Sequence, residues 1–206
     1  MIAVITLPEE LAGEREALSL LCRRDGVSIH LRRDNPEPLV CAVRELCGGD
    51  GRLLDRFTLH HSPVLSERYG LGGTHRRFAE RSDGCHGRLS VSCHSFDEVS
   101  TVLAEGKADY MFLSPVFDSR SKKGYVSAFA PERVESFLSS LPEDERRRVI
   151  ALGGVDADNI AQCRDMGFGG AAMIGSLWAV SGGRIDPEAT LSNYIALEKR
   201  WHTETK

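Results

Sequence analysis

Two glycine turns carry the clearest chemistry in this chain. Gly153-Gly154 follows the apolar run Val149 to Leu152, and Gly175-Ser176 follows a second run, Ala171 to Ile174. Each stands where a short buried strand should end and a helix begin. Glycine lets backbone N–H groups come close to a ligand, and a helix N-terminus adds the positive end of its dipole. An ordinary tight turn would explain either one alone. Repeated on consecutive strand–helix units near the C-terminal end, they are how (β/α)8 barrels commonly hold a phosphate. The expected grip is Gly153, Gly154, Gly175 and Ser176.

A second group of chemistry-bearing residues lies on strands that should be dry. Along 27–32, Ser28, His30 and Arg32 share one parity while Val27, Ile29 and Leu31 share the other. Thr58 and His60 oppose Phe57 and Leu59, and Ser90, Ser92 and His94 oppose Leu89, Val91 and Cys93. Side chains alternate with period 2, so each polar set occupies one face. Buried imidazole and guanidinium groups cost free energy unless a partner or ligand satisfies them. The expectation is that the polar sets line the mouth of a barrel, where polar residues at the C-terminal ends of several strands read as catalytic or binding.

The elements that must position these residues alternate along the chain. Strand-like runs are read at Ile2–Thr6, Val27–Arg32, Phe57–His60, Gly73–His75 (short and weak), Leu89–Ser92, Tyr110–Leu113, Val149–Leu152 and Ala171–Ile174. Amphipathic helices or short turns separate them, the pattern of repeated βα units closing a (β/α)8 barrel over residues 1–206 as one domain. Ser95 to Glu98 reads as a capping box, Asp156 as the cap of a helix reaching Met166, and Asp186-Pro187 as the start of the last helix. An open doubly wound sheet is the rival, but Leu7-Pro8-Glu9-Glu10 carries no glycine fingerprint after the first strand.

Composition narrows the class. The 206 residues suffice for one domain, and 41% hydrophobic with 27% charged residues is an ordinary soluble balance. A net charge of −4 argues against bulk nucleic-acid binding. No apolar run is long enough to span a membrane, and the first residues read as a strand rather than a leader. The cysteines show no CxxC, so reduced thiols of a cytoplasmic protein are expected. Cys85-His86 and Cys93-His94 fit no common zinc spacing, and no metal site is expected. Self-association into a homo-oligomer is compatible with the sequence but not read from it.

With these pieces in order, the chain resembles the thiamine phosphate synthase family, and most of all its TenI-like branch of thiazole tautomerases. The likeness rests on His30-Leu31-Arg32, Val91-Ser92-Cys93-His94-Ser95, Ser114-Pro115-Val116-Phe117 and Ser119-Arg120-Ser121-Lys122-Lys123, together with the two glycine turns. It implies a phosphorylated thiazole substrate. His94 would be the catalytic histidine, and His30, Arg32, His60, Ser92, Ser119, Ser121 and Lys122 would contact the substrate. The departures are informative. Where the resemblance places an Asn-Asp pair for magnesium stands His60-His61, a lysine position is Asp34, and a second magnesium aspartate is replaced by Glu80 or lost. Imidazole suits magnesium poorly. The leading expectation is therefore a tautomerase that needs no cofactor. The alternatives are a thiamine phosphate synthase, which would bring magnesium and a pyrimidine pyrophosphate, and a non-catalytic barrel that binds thiazole or thiamine phosphates.

Overall fold

Eight short strands, nearly all buried, hydrogen-bond side by side in chain order and close on themselves: β1 (Ile2–Ile5), β2 (Val27–Leu31), β3 (Phe57–His60), β4 (Gly73–Arg77), β5 (Arg88–Cys93), β6 (Tyr110–Leu113), β7 (Val149–Leu152) and β8 (Gly170–Met173). The structure is a computed structural model that describes residues 1–81, 84–118 and 129–203. All neighbours are parallel, and the seam joins β1 to β8 with Ile2 opposite Ala171. Around the barrel run α1 (Glu14–Leu21), α2 (Glu37–Leu46), α3 (Gly51–Leu54), α4 (Pro63–Tyr69), α5 (Phe96–Glu105), α6 (Pro131–Ser140), α7 (Glu143–Arg146), α8 (Ile160–Asp165) and α9 (Pro187–His202). Among the described residues no helix is long and apolar enough to cross a membrane.

The helix ends follow their local chemistry. Ser95 Oγ accepts from Glu98 N at 3.1 Å, and Glu98 Oε2 reaches back to His94 N at 2.6 Å, one residue before the cap that a standard box would use. Asp186 caps α9 by accepting from Ala189 N. Asp156 accepts from the amides of Asp158 and Asn159, forming a turn that delays the regular helix α8 to Ile160. One expectation fails after β8. No helix begins at Gly175; a turn leads instead into a hairpin of β9 (Val180–Ser181) and β10 (Arg184–Ile185), and α9 starts only at Pro187. The expected phosphate grip therefore has no helix starting directly at either glycine turn, since α8 begins only at Ile160.

Parity sorts the barrel into two cores. Val27, Ile29, Leu31, Phe57, Leu59, Leu89, Val91 and Cys93 face outward and pack in the main core. Inside, Ala3, Ile5, Tyr110, Phe112, Ile150 and Ala172 make a small apolar cluster on the β1 and β6–β8 side. Ser28, His30, Thr58, His60, His75, Ser90 and Ser92 fill the β2–β5 side. β4 is longer than its polar sequence suggested, because Thr74 and Arg76 do not need to pack under a helix. Thr74 Oγ1 bonds His86 O, and Arg76 donates to Gly84 O at 2.7 Å, so the segment leading to β5 satisfies this face.

The cysteines form no disulfide. Burial pushes the Cys93 and Cys163 thiols up to about 12, which leaves both protonated and inert at neutral pH.

Candidate functional site

The C-terminal ends of β5, β6, β7 and β8 bring the base candidate and the glycine turns together through one connector, Ser114-Pro115. His94 is exposed just past β5, and its Nδ1 lies 2.9 Å from the carbonyl oxygen of Ser114. A carbonyl can only accept, so Nδ1 carries the proton and donates, leaving the lone pair on Nε2. The same connector packs on Gly153: a Cβ there would lie 2.8 Å from Pro115 Cα and 3.2 Å from Ser114 Oγ. Phe117 N donates to Gly153 O at 3.0 Å, fastening the β6 loop to the turn.

The two turns are also tied to each other. Ser176 Oγ donates to Val155 O at 2.7 Å, and Asn159 Nδ2 donates to Gly154 O at 2.8 Å. Among the described residues, no protein acceptor takes the amides of Gly154, Gly175 or Ser176. Free N–H groups gathered at one end of a barrel are what an anion needs.

The glycines differ in what they do. Gly154 has φ +66°, and a Cβ on it would meet Asp118 O at 2.6 Å and the Phe117 carbonyl carbon at 2.8 Å. Its side-chain space is thus filled by backbone, contrary to the expectation that an anion would occupy it. Gly175 has an ordinary φ, and a Cβ added to it would meet no atom within 4 Å. The clean probe is Gly175→Leu. It is expected to raise KM for a phosphorylated substrate by ~10–100-fold, the worth of one or two charge-assisted hydrogen bonds, while Tm moves little. Steady-state kinetics with a thermal melt checks this; an unchanged KM would remove the turn from the grip. Gly154→Ala should instead lower Tm.

The polar interior lies deeper than the sequence suggested. His30, Thr58 and Ser90 are completely buried, so they do not line the mouth, and His30 is not placed to touch a ligand there. Parity told the face of each strand correctly but not the height along the barrel. His30 Nδ1 stands 3.1 Å from His60 Nε2, and His30 Nε2 stands 2.8 Å from Tyr110 OH. His75 holds Ser90 Oγ at 2.8 Å through Nδ1 and Ser92 Oγ at 2.7 Å through Nε2. Burial drives the His30 pKa down to about 3, with the Arg88 charge adding to it. His60 and His75 are held well below the usual histidine range, first by burial and then by neighbouring imidazoles and Arg32. All three are neutral at pH 7.

Only His60, Ser92 and His94 of the predicted histidines and serines on β2–β5 reach the mouth. Arg32 is exposed there, its backbone clasped to Thr6 by Arg32 N to Thr6 Oγ1 at 2.9 Å. Among the described residues no ion pair links it to Asp34, while the neighbouring Arg33 is committed to buried Glu14. Ser119, Ser121 and Lys122 lie outside the described residues. Sequence reasoning missed His75 and Tyr110. The signal for His75 was its register: His60, His75, Ser90 and Tyr110 stand opposite one another across four adjacent strands.

Comparison with known proteins now has a site to be set against. The family model for thiamine monophosphate synthase matches residues 73–177. The chain belongs to the thiamine monophosphate synthase family. The thiamine-phosphate synthase of Thioalkalivibrio sulfidiphilus is 28% identical over 202 residues, covering 92% of this chain and 88% of that protein. That of Latilactobacillus sakei is 30% identical over 95 residues, which span 45% of this chain and 40% of the relative. The structure of a thiamine phosphate pyrophosphorylase from Bacteroides thetaiotaomicron superposes with a TM-score of 0.78 at 24% identity, over 100% of this chain and 99% of the other, and shares the fold.

Within this synthase family frame, His61 and Glu80, at the two positions that the resemblance gives to magnesium carboxylates, meet in space, but one of them is an imidazole. His61 Nδ1 lies 3.4 Å from Glu80 Oε2. His61 has φ +64°, left-handed backbone that a non-glycine residue adopts only under constraint, and its amide is fixed to His75 O at 2.9 Å. Partial burial and Arg77 lower the His61 pKa, and Glu80 opposes them. Magnesium demands oxygen ligands in near-octahedral geometry. One carboxylate facing an imidazole does not fit it.

Proposed function

We propose that this chain moves a proton on a phosphorylated carboxythiazole so that the ring becomes aromatic, with His94 as the base. The observation that carries this reading is the Nδ1 contact to Ser114 O, which leaves the Nε2 lone pair of the exposed His94 ring to accept a proton. The substrate phosphate would sit on the amides of Gly154, Gly175 and Ser176, on the same loop system that holds the histidine ring. Arg32, just past the end of β2, would take the carboxylate as a bidentate partner. Nε2 would then accept the ring proton and return it to the carbon where the new tautomer carries it, with no net redox change. Neither magnesium nor an organic cofactor enters.

The names of the relatives favour a second reading, coupling of a pyrimidine pyrophosphate to a thiazole phosphate. The experiment that separates the two supplies each substrate set with and without added magnesium. Under the proposed reading, isomerisation of the carboxythiazole phosphate changes less than about twofold on adding magnesium, because His61 stands where a carboxylate would be required. Robust magnesium-dependent formation of thiamine phosphate would overturn it in favour of the coupling reaction. Binding of thiazole phosphate with neither turnover would leave a carrier or sensor.

A further inference from the structure

We propose that His30, His60 and His75 form a transition-metal site, of the zinc or cobalt class, inside the barrel beneath the mouth. One nitrogen from each of the three imidazoles lies within 4.8 Å of the others. The nearest pair, His30 Nδ1 and His60 Nε2, is 3.1 Å apart. Two imidazole nitrogens bound to one tetrahedral zinc at about 2.0–2.1 Å stand about 3.3 Å apart, so this pair already spans a ligand edge. The ring centroids are 5.3 Å (His30–His60), 5.5 Å (His30–His75) and 4.2 Å (His60–His75) apart. Rings that close can share one ion after small side-chain rotations.

The surroundings have the form that a metal site needs. A ligating imidazole usually donates its other N–H to an oxygen, which fixes the tautomer. Tyr110 OH stands at His30 Nε2 in that role. His75 holds a serine on each nitrogen; a neutral imidazole has one N–H and one lone pair, so one serine accepts and the other donates. The accepting serine is the outer partner, and the donating one is what an ion would displace. Burial keeps the imidazoles neutral, the form that binds metal, so protons compete only weakly at neutral pH. Three neutral nitrogen donors suit zinc, cobalt, nickel or copper and reject magnesium. His60, at 7% exposure, is the least buried of the three. The nearby charges of Arg32 and Arg88 call for an anionic fourth ligand such as hydroxide.

The test uses the full chain, stripped with a chelator and then titrated with cobalt(II) or zinc(II) alone, without substrate. The expected result is one ion per chain, with visible cobalt absorption of low-coordinate type, unaffected by millimolar magnesium. The signal should persist in Cys85→Ser and His202→Ala, which remove an exposed thiol and a surface imidazole. It should weaken by roughly 100-fold in His75→Ala and in His75→Gln, the latter keeping a hydrogen-bonding side chain so that folding, followed by circular dichroism, is retained. Absence of stoichiometric binding by the unmodified chain below about 100 µM ion would overturn the proposal. So would binding that survives both His75 variants or disappears with Cys85→Ser. Because no substrate is present, these outcomes are independent of the reaction assigned to His94.

Discussion

His94→Ala is expected to lower kcat for the proton shift by ~10²–10⁴-fold with little change in KM, the usual worth of a positioned general base. The selectivity follows from where the ring sits. The proposed phosphate turns are Gly153-Gly154 and Gly175-Ser176, which His94 approaches only through the Ser114 carbonyl, so substrate binding should survive its removal. The stability cost should also be small. The ring is exposed and makes one hydrogen bond, worth about 1 kcal/mol, while the backbone contact from His94 N to Glu98 remains in any variant. His94→Asn sharpens the test, since its amide can still donate toward Ser114 O yet offers no base. Both variants should therefore be inactive and fold normally, and the pH–rate profile of any residual turnover should lose the histidine limb expected of the unmodified protein. Turnover retained in His94→Asn, measured by the ultraviolet change on aromatisation, would remove His94 from the chemistry.

How much of this was legible in the sequence depended on which physical signal each element carries. The strands announced themselves because alternation is a period-2 signal that the buried outer face enforces, as in Val27, Ile29 and Leu31. β4 was faint because its outward Thr74 and Arg76 are satisfied by hydrogen bonds to a connecting segment, so no apolar parity was needed. The β9–β10 hairpin was readable and overlooked. Gly182-Gly183, both with positive φ, is the two-residue turn that a tight hairpin favours, but its two-residue strands have no periodicity to reinforce it.

The site divides along the same line. Parity placed His30, His60, Ser90 and Ser92 on the inner face but could not say how far below the rim each lies. That height is set by strand register, which pairs His30 with Thr58 and leaves His60 and His75 above them. The glycine turns were visible as a repeated motif, whereas the division of labour between Gly154, packed against backbone, and Gly175, facing open space, exists only in three dimensions.

Lowering the pH from 7 to 5.5 in chelator-containing buffer is expected to reduce Tm by several degrees. The cause is the three imidazoles in the barrel. Their folded-state pKa values are depressed, to about 3 for His30 and well below normal for His60 and His75. The unfolded chain, with ordinary values near 6.5, therefore takes up the extra protons first, so stability is intact above that value and drains away as pH falls below it. For His30, which stays neutral in the fold throughout this range, the cost at pH 5.5 is about 1 kcal/mol, and His60 and His75 act in the same direction. Glu14 works in the opposite sense, because burial raises its folded value and lends stability as pH falls, but it is one group against three. His30→Gln keeps hydrogen-bonding capacity between Tyr110 and His60 and removes one titrating ring. It should shrink the pH dependence of stability, whatever it does to stability at pH 7. Calorimetry across this range provides the measurement. A Tm that stays flat from pH 7 to 5.5 would mean that the imidazoles are charged or solvated in the fold, and the buried neutral network would have to be abandoned.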